Sequence, residues 1–461
     1  MPNGNNLNTS SMTAKYGDLS IQEYAQILIK KIDRLISTLL NQIIHHPDFQ
    51  SLEASWRSLY KLVKSTNHMD SVVIRVLSVK TTELSNDFQR AGEFDQSAFF
   101  QKIYSNEFDH PGGEPFGILI GDYSVTHKYT NKNHILNTET LRDISMTAAA
   151  AFSPFVAQVD PSLLGLNDFS ELRPTINLGR TFLQKEYGRW ASFRENQETR
   201  FVALLLPKIL VREPYNLSNS EKRYGFCFLE DTSKDQLSKF LWGNPCYEFA
   251  YNVARSFHES GWLADINGTT PDESRGGKVE NLIRLKIGNN HTYTQKKPST
   301  NIIITSNQEK QLNDVGLICL CECRHTDFYS FQCSNSLQRP THYDNNNANN
   351  NSQLSTKLNH VLCVSRFAHY LKVIFRNKIG SFQTVEGCEN YLNSWLAQYT
   401  ADGSSLEVEM LAKYPLKSSK VEIVENKSLP GNYFCKIYLN PQYQFEQLNF
   451  TFVLNTKLSG T

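Results

Sequence analysis

From Ile21 to Ile43 apolar side chains recur at helical spacing: Ile21, Tyr24, Ala25, Leu28, Ile32, Leu35, Ile36, Leu39 and Ile43. On an α-helix these positions form one continuous stripe. A stripe of that length is unfavourable in water, so whatever the rest of the chain does, something has to cover it. Ser20 and Glu23 form an S-x-x-E capping box that starts the helix by pairing two otherwise orphaned N–H groups. Pro47 stops it near His46, because proline removes a donor and restricts the residue before it. His45 and His46 then read as caps on the last carbonyls. A second helix follows on Phe49, Leu52, Trp56, Leu59 and Val63, whose steps of three and four make a coiled-coil-like seam. Two such helices in succession either fold onto their own domain or pack on another chain.

At 461 residues, 40% of them hydrophobic, the chain exceeds what one core supports, so two or more compact units are expected. Lys and Arg number 47 against 46 Asp and Glu, with no basic stripe, which argues against a nucleic-acid partner. No apolar run reaches membrane-spanning length. The polar stretch 1–19 lacks a basic region followed by an apolar one, so it reads as a disordered N-terminus and not as a signal peptide. The nine cysteines, odd in number and scattered, read as reduced thiols of a cytosolic protein.

Past the helical segment, 20–65, strand and helix patterns alternate. Ser71–Val79 reads as a buried strand. Helices near Thr82–Arg90 and Asp95–Asn106 follow, then a strand over Phe116–Ile120, entered by the 112–115 turn and left through Gly121-Asp122-Tyr123. A helix over Thr138–Ala151 separates it from strands at Pro154–Val159 and Arg200–Leu206. Further on come a helix over Asn244–His258, a strand at Ile302–Thr305, and a hairpin of Leu317–Cys323 with Phe328–Cys333. The low-complexity run Asp344–Asn351 reads as a solvated loop, and Ser352–Arg376 and Val385–Tyr399 as helices. The end is β-rich, with strands at Lys420–Glu425, Asn432–Leu439 and Gln447–Leu454, a turn at Pro430-Gly431 and a break at Asn440-Pro441. The fold class is therefore α/β (α+β) on a mixed sheet. The organisation is 1–19, a helical segment 20–65, a main α/β domain 66–365 and a C-terminal domain 366–461.

No constellation points to chemistry. Cys319, Cys321, Cys323 and His325 are zinc-ligand types, but a spacing of two puts them on one face of a strand, about 6.5–7 Å apart. A tetrahedral zinc needs its sulfurs within about 4 Å, so small core residues are the better reading. Gly112-Gly113 and Gly117 to Gly121 lack the lysine of a phosphate loop and read as turn glycines. There is no G-x-S-x-G elbow. The aromatic clusters at Trp190–Arg194, Gly225–Glu230 and Leu241–Asn244 read as core.

Several ordered motifs nevertheless resemble one family. Ile43-Ile44-His45-His46-Pro47-Asp48-Phe49-Gln50-x-Leu52-Glu53-x-x-Trp56-Arg57-x-Leu59 resembles the opening block of the large subunit of the type VI secretion contractile sheath, the TssC/VipB family. Pro111-Gly112-Gly113-Glu114-Pro115-Phe116-Gly117 through Gly121-Asp122-Tyr123, Leu241-Trp242-Gly243-Asn244 and Cys321-x-Cys323-x-x-Thr326-Asp327 are similar to later blocks. The most specific is Ser365-Arg366-Phe367-Ala368-His369-Tyr370-Leu371-Lys372 with Lys378-Ile379-Gly380-Ser381-Phe382. The resemblance runs from about residue 27 to the end.

What it implies is a structural protein of the bacterial cytoplasm, with no catalytic residues, cofactor or metal. It would pair with a small sheath subunit (TssB/VipA) and with copies of itself, surround an inner tube (Hcp), assemble on a baseplate and contract. The ClpV unfoldase recycles such sheaths by way of an N-terminal extension, which is shorter than usual here. Leu28, Ile32, Leu35 and Leu39 are the expected contacts to the small subunit. Three terminal strands are too few to close a barrel, so open edges should accept strands from neighbours. Tyr433, Ile437, Phe450 and Phe452 mark that strand-sharing region. The helix Val385–Tyr399 is the candidate to face the inner tube. The rival readings are a phage-tail-like sheath protein and an α/β enzyme.

Overall fold

The β-branched and leucine-rich runs 155–159 and 202–206 are apolar at every position, the pattern of strands covered on both faces. The computed structural model bears this out. It describes residues 21–110, 112–130, 134–173, 176, 178–215, 226, 228, 230–232, 237–269, 274–284, 298–323, 326–378, 385–401, 408–425, 432–442 and 452–459. Strands β1 (Leu119–Val125), β2 (Ile135–Leu136), β3 (Phe155–Val159), β4 (Val202–Leu206), β7 (Lys278–Val279), β8 (Leu317–Glu322) and β9 (Tyr329–Phe331) form a seven-stranded sheet of order β2-β1-β3-β4-β8-β9-β7. β2, β1, β3, β4 and β8 run parallel, and β9 and β7 close the far side antiparallel. β5 (Ile209–Leu210) and β6 (Trp242–Gly243) make a separate short pair.

Side chains alternate faithfully across this sheet. Phe155, Ala157, Val159, Val202, Leu204, Leu206, Leu317, Cys319 and Cys321 face one core with helices α3 (Thr81–Ala91), α4 (Thr138–Ala150) and α6 (Ser306–Asp314). Val156, Ala203, Leu205, Ile318 and Leu320 face the other, against α5 (Cys246–Ser260) and the start of α7 (Leu358–Lys378). A third core joins the rest of α7 to α8 (Val385–Ala397) and to an antiparallel sheet of β10 (Leu416–Glu425), β11 (Asn432–Pro441) and β12 (Phe452–Ser459). The boundary expected at 365/366 lies inside α7, which places Leu358 and Leu362 in the second core and Phe367, Leu371 and Phe375 in the third.

Several local expectations change. Residues 71–79 form no strand: after a turn at 70–71 the chain has no regular secondary structure, with Val73, Val76 and Leu77 exposed, because no described strand pairs with it. β1 starts later than expected and contains Gly121-Asp122-Tyr123, since Gly121 has no side chain to collide with the Phe155 ring beneath it and a bulge lies between Ile120 and Ser124. Residues 302–305 are irregular and lead into α6, where Thr305 and Gln308 form a capping box that marks the helix start. The asparagine-rich run forms a helix, Asn346–Ser355, tied by Asn349 to both backbone groups of Tyr343 and anchored by buried Leu354. It is separate from α7 because the backbone at 356–358 turns aside to pair with Ser334 and Ser336. β11 continues through Pro441, and its partner β12 lies about five residues later than expected. The expected capping residue Ser20, the 1–19 stretch, the Pro430-Gly431 turn and His325 lie outside the described residues.

Candidate assembly interface

Helices α1 (Ile21–Ile44) and α2 (Pro47–Thr66) form as the spacing requires, but their apolar stripes are not covered. α1 buries no residue. Leu28 is 41% exposed, Ile32 53%, and Leu35 and Leu39 60% each. α2 faces inward with its small side chains, Ala54 and Ser58, together with Leu62 and Thr66. The seam turns outward instead: Phe49, Leu52, Trp56 and Val63 are exposed, and Leu59 is half-buried. The reason is the close approach of α2 to β6, where any side chain on Gly243 would collide with Val211 and with Ser58. Nine large apolar side chains on α1, five on α2 and three in the following segment are exposed, 17 of the 26 such residues in the described chain. A soluble monomer rarely displays so large a contiguous apolar surface, which is the physical mark of an interaction site.

Polar contacts add to the packing of Ala54 and Leu62 in fixing this surface on the body. Arg212 lies at the centre, 7% exposed. It donates to Glu230 at 2.6 and 3.1 Å and to Glu53 of α2 at 3.0 Å, and its guanidinium lies 4.3 Å from the Tyr215 ring centroid. Glu230 also accepts from the Tyr215 N–H at 2.9 Å and pairs with His45 at 3.2 Å. Burial alone would raise the Glu230 carboxyl, but the Arg212 and backbone hydrogen bonds outweigh it and hold it below the usual range. The His45 ring therefore reaches across to a carboxylate and does not cap its own helix, as expected from sequence. Beside it, the Asp231 N–H donates to Asn41 of α1 at 2.9 Å.

A second node joins two of the motifs. Asn244 donates to Asp122 (3.1 Å) and to the Gly121 carbonyl (3.3 Å), and accepts from the Cys246 N–H at the start of α5 (2.9 Å). Ser55 of α2 donates to Asp122, and Lys61 pairs with Glu248 of α5. A polar cavity of about 340 Å³ lies alongside, lined by Ser55, Asp122, Gln158, Asp168, Lys208 and Asn244. The Lys208 ammonium is lowered by burial, against the pull of Asp160 and Asp168. Sequence reasoning singled out both motifs but not their convergence, and it missed Arg212 and Glu230, which no local pattern marks.

In the C-terminal sheet β11 has a neighbour on each side, so among the described residues the edge strands are β10, which bridges to Thr400 at Leu416, and β12. Ile437 points into the third core at 1% exposure, and Tyr433 sits in register between Glu425 and Leu458. Of the four residues expected to mark strand sharing, Phe452 is on an edge strand, opposite Leu439, and Phe450 lies outside the described residues. α8 turns Cys388, Leu392 and Leu396 inward and leaves Tyr391 40% exposed. Cys319 and Cys321 are buried on one sheet face, their thiols pushed up by burial into unreactive territory. The described residues hold no cluster of metal-ligating side chains, and none of the described helices is long and apolar enough to cross a membrane.

An α/β body carrying an uncovered apolar face, with its polar groups spent on fixing that face in place, defines an assembly component. The tail sheath N-terminal domain of the EvpB/VC_A0108 family matches residues 26–338, and that family's tail sheath gpW/gp25-like domain matches residues 347–458. The chain belongs to this VipB tail sheath family, a structural family and not one of enzymes. It is 33% identical over 434 residues, 94% of its length and 85% of the relative's, to the type VI secretion system sheath protein TssC1 of Pseudomonas aeruginosa.

Proposed function

We propose that this protein is the large subunit of a type VI secretion contractile sheath. It co-polymerises in the bacterial cytoplasm with the small subunit (TssB/VipA) around an inner tube (Hcp), assembles on a baseplate, and contracts to drive the tube into a target cell. The observation that carries this reading is the stripe on α1 and α2, which the chain leaves uncovered: it needs a partner, and Leu28, Ile32, Leu35 and Leu39 meet the small subunit first. The edge strands β10 and β12 accept strands from neighbouring subunits, which keeps the mesh linked while subunits rotate. Contraction then draws on the free-energy difference between two packings, with no cofactor consumed.

Co-expression with a small sheath subunit of the same family tests the proposal. Electron microscopy should show tubules that neither chain forms alone. A monodisperse monomer that ignores the small subunit overturns it.

A further inference from the structure

Arg212 follows β5 closely, and the body fixes its backbone. Ile209 and Leu210 are buried, β5 pairs with β6, and the Val211 N–H bonds the Leu241 carbonyl at 3.0 Å. The guanidinium divides its donors between carboxylates on two different elements: Nη1 and Nη2 reach Glu230, and Nε reaches Glu53 of α2. Arg212 shares no hydrogen bond or ion pair with α1. That helix is held one step further out. His45, at its C-terminal end, pairs with Glu230 Oε1, the same oxygen that accepts from Arg212 Nη2, and the neighbouring Asp231 N–H donates to Asn41.

Those two bonds matter because α1 buries no residue, so core packing does not set its direction. Leu28 lies 17 residues before His45, about 25 Å along the helix axis. A tilt of about 10° at the His45 end therefore moves Leu28 by about 4 Å, the whole reach of a side-chain contact. Without Arg212 the Glu230 carboxylate, whose side chain is 2% exposed, keeps only the Tyr215 N–H and the His45 ring, too little to hold a buried charge. It has to turn towards water or take up a proton, and either change disturbs the contacts that hold α1. The anchors of α2 do not pass through Arg212 alone: Ser55 bonds Asp122, and Lys61 pairs with Glu248.

We propose that Arg212 is a positioning residue of the assembly face: seated in the body, it sets the direction of α1 through Glu230 and Asp231, and with it the place where the α1 stripe meets its partner. A buried side chain that touches no partner thereby governs binding. The proposal rests on the sheath reading in one respect, the small subunit as the partner. The direction of α1 is a property of the free chain and is measured there.

Hydrogen exchange on the full chain reads it before any partner is added. In Arg212→Met the amides of residues 37–45 should exchange at least about tenfold faster than in wild type, while those of residues 56–64 in α2 stay within about threefold. Affinity for a small sheath subunit of the same family should fall at least about tenfold. Arg212→Met with Glu230→Leu removes the stranded carboxylate, so the unfolding midpoint should return to within about 2 °C of wild type while 37–45 stays fast and binding stays weak. A merely structural ion pair would recover binding together with the midpoint, and that result overturns the proposal. His45→Ala with Asn41→Ala breaks the same chain of bonds from its outer end, and so decides the matter even where the Arg212 variants fail to fold. It should reproduce the fast exchange and the weak binding, and wild-type behaviour there overturns the proposal. A wild-type chain that forms no complex overturns the sheath reading, and exchange in the free chain then decides the role of Arg212 alone.

Discussion

Helices α1 and α7 are the two longest in the described chain, and both are rich in apolar residues at helical spacing. α7 is enclosed nearly all round: Leu358, Leu362, Phe367 and Leu371 are at most 2% exposed, and even His360 and His369 are buried. α1 is uncovered along its whole length, with Leu35 and Leu39 each 60% exposed. One helix is the axle between two cores of the same chain. The other, fixed to the body at Asn41 and His45, presents its stripe outward. The difference teaches that periodicity states a demand for burial without saying who meets it. In α7 the chain meets the demand itself, and in α1 it leaves the demand unmet.

Substitutions on the two helices should separate these roles. The largest effect is expected at Phe367, whose ring stacks on Trp262 at 4.1 Å in the third core. Phe367→Ala should cost about 4 kcal/mol in urea unfolding, by lost burial plus the cavity left behind. A loss under about 1 kcal/mol would mean that α7 is less tightly enclosed than its burial indicates.

Acid should come next, and again through α7. Burial lowers His360 to about 3 and His369 to about 4, the latter despite its 2.9 Å contact with the Ala151 carbonyl, so both are neutral in the folded chain. The unfolded chain binds these protons near pH 6.5, whereas the folded chain does not until far lower. Stability from this source is therefore complete above about pH 6.5 and falls as the pH drops below it, by about 1.4 kcal/mol for each histidine at pH 5.5. Unfolding free energies measured from pH 7 to 5 check this, and a flat profile would rule it out.

The smallest effect on the chain itself is expected on α1. Leu35→Asp with Leu39→Asp should change the unfolding free energy of the free chain by less than about 0.5 kcal/mol, because neither side chain touches a core. The same double variant should abolish co-purification with the small subunit. Retained complex would sink the assignment of this stripe as the contact, and a large loss of stability would show that α1 folds back in solution.

Much of the fold was legible because burial on both faces leaves a sequence trace. The apolar run at Val202–Leu206, the alternating face of Leu317–Cys321 and the long stripes of α1 and α7 all state their periods plainly. The family was legible too, in motifs such as Gly121-Asp122-Tyr123 and Leu241-Trp242-Gly243-Asn244. Their reason was not: the two meet about 120 residues apart in sequence, where Asn244 bonds Asp122 and Gly121 beneath α2. The Arg212–Glu230 pair left no trace at all, since a single arginine and a single glutamate look like any others until the fold excludes water from them.

The run 72–79 and the run 202–206 read alike as buried strands, and tertiary structure sent them to opposite fates. Val202–Leu206 lies between two parallel neighbours under two helical layers, and 72–79 lies unpaired at the surface. The sequence by itself determined the helical or extended form of the strongly periodic segments and which of their faces are apolar, because those follow from local sterics and side-chain period. Only the tertiary structure decided which apolar faces the chain covers for itself, because hydrogen bonding and burial across the chain depend on what folds alongside.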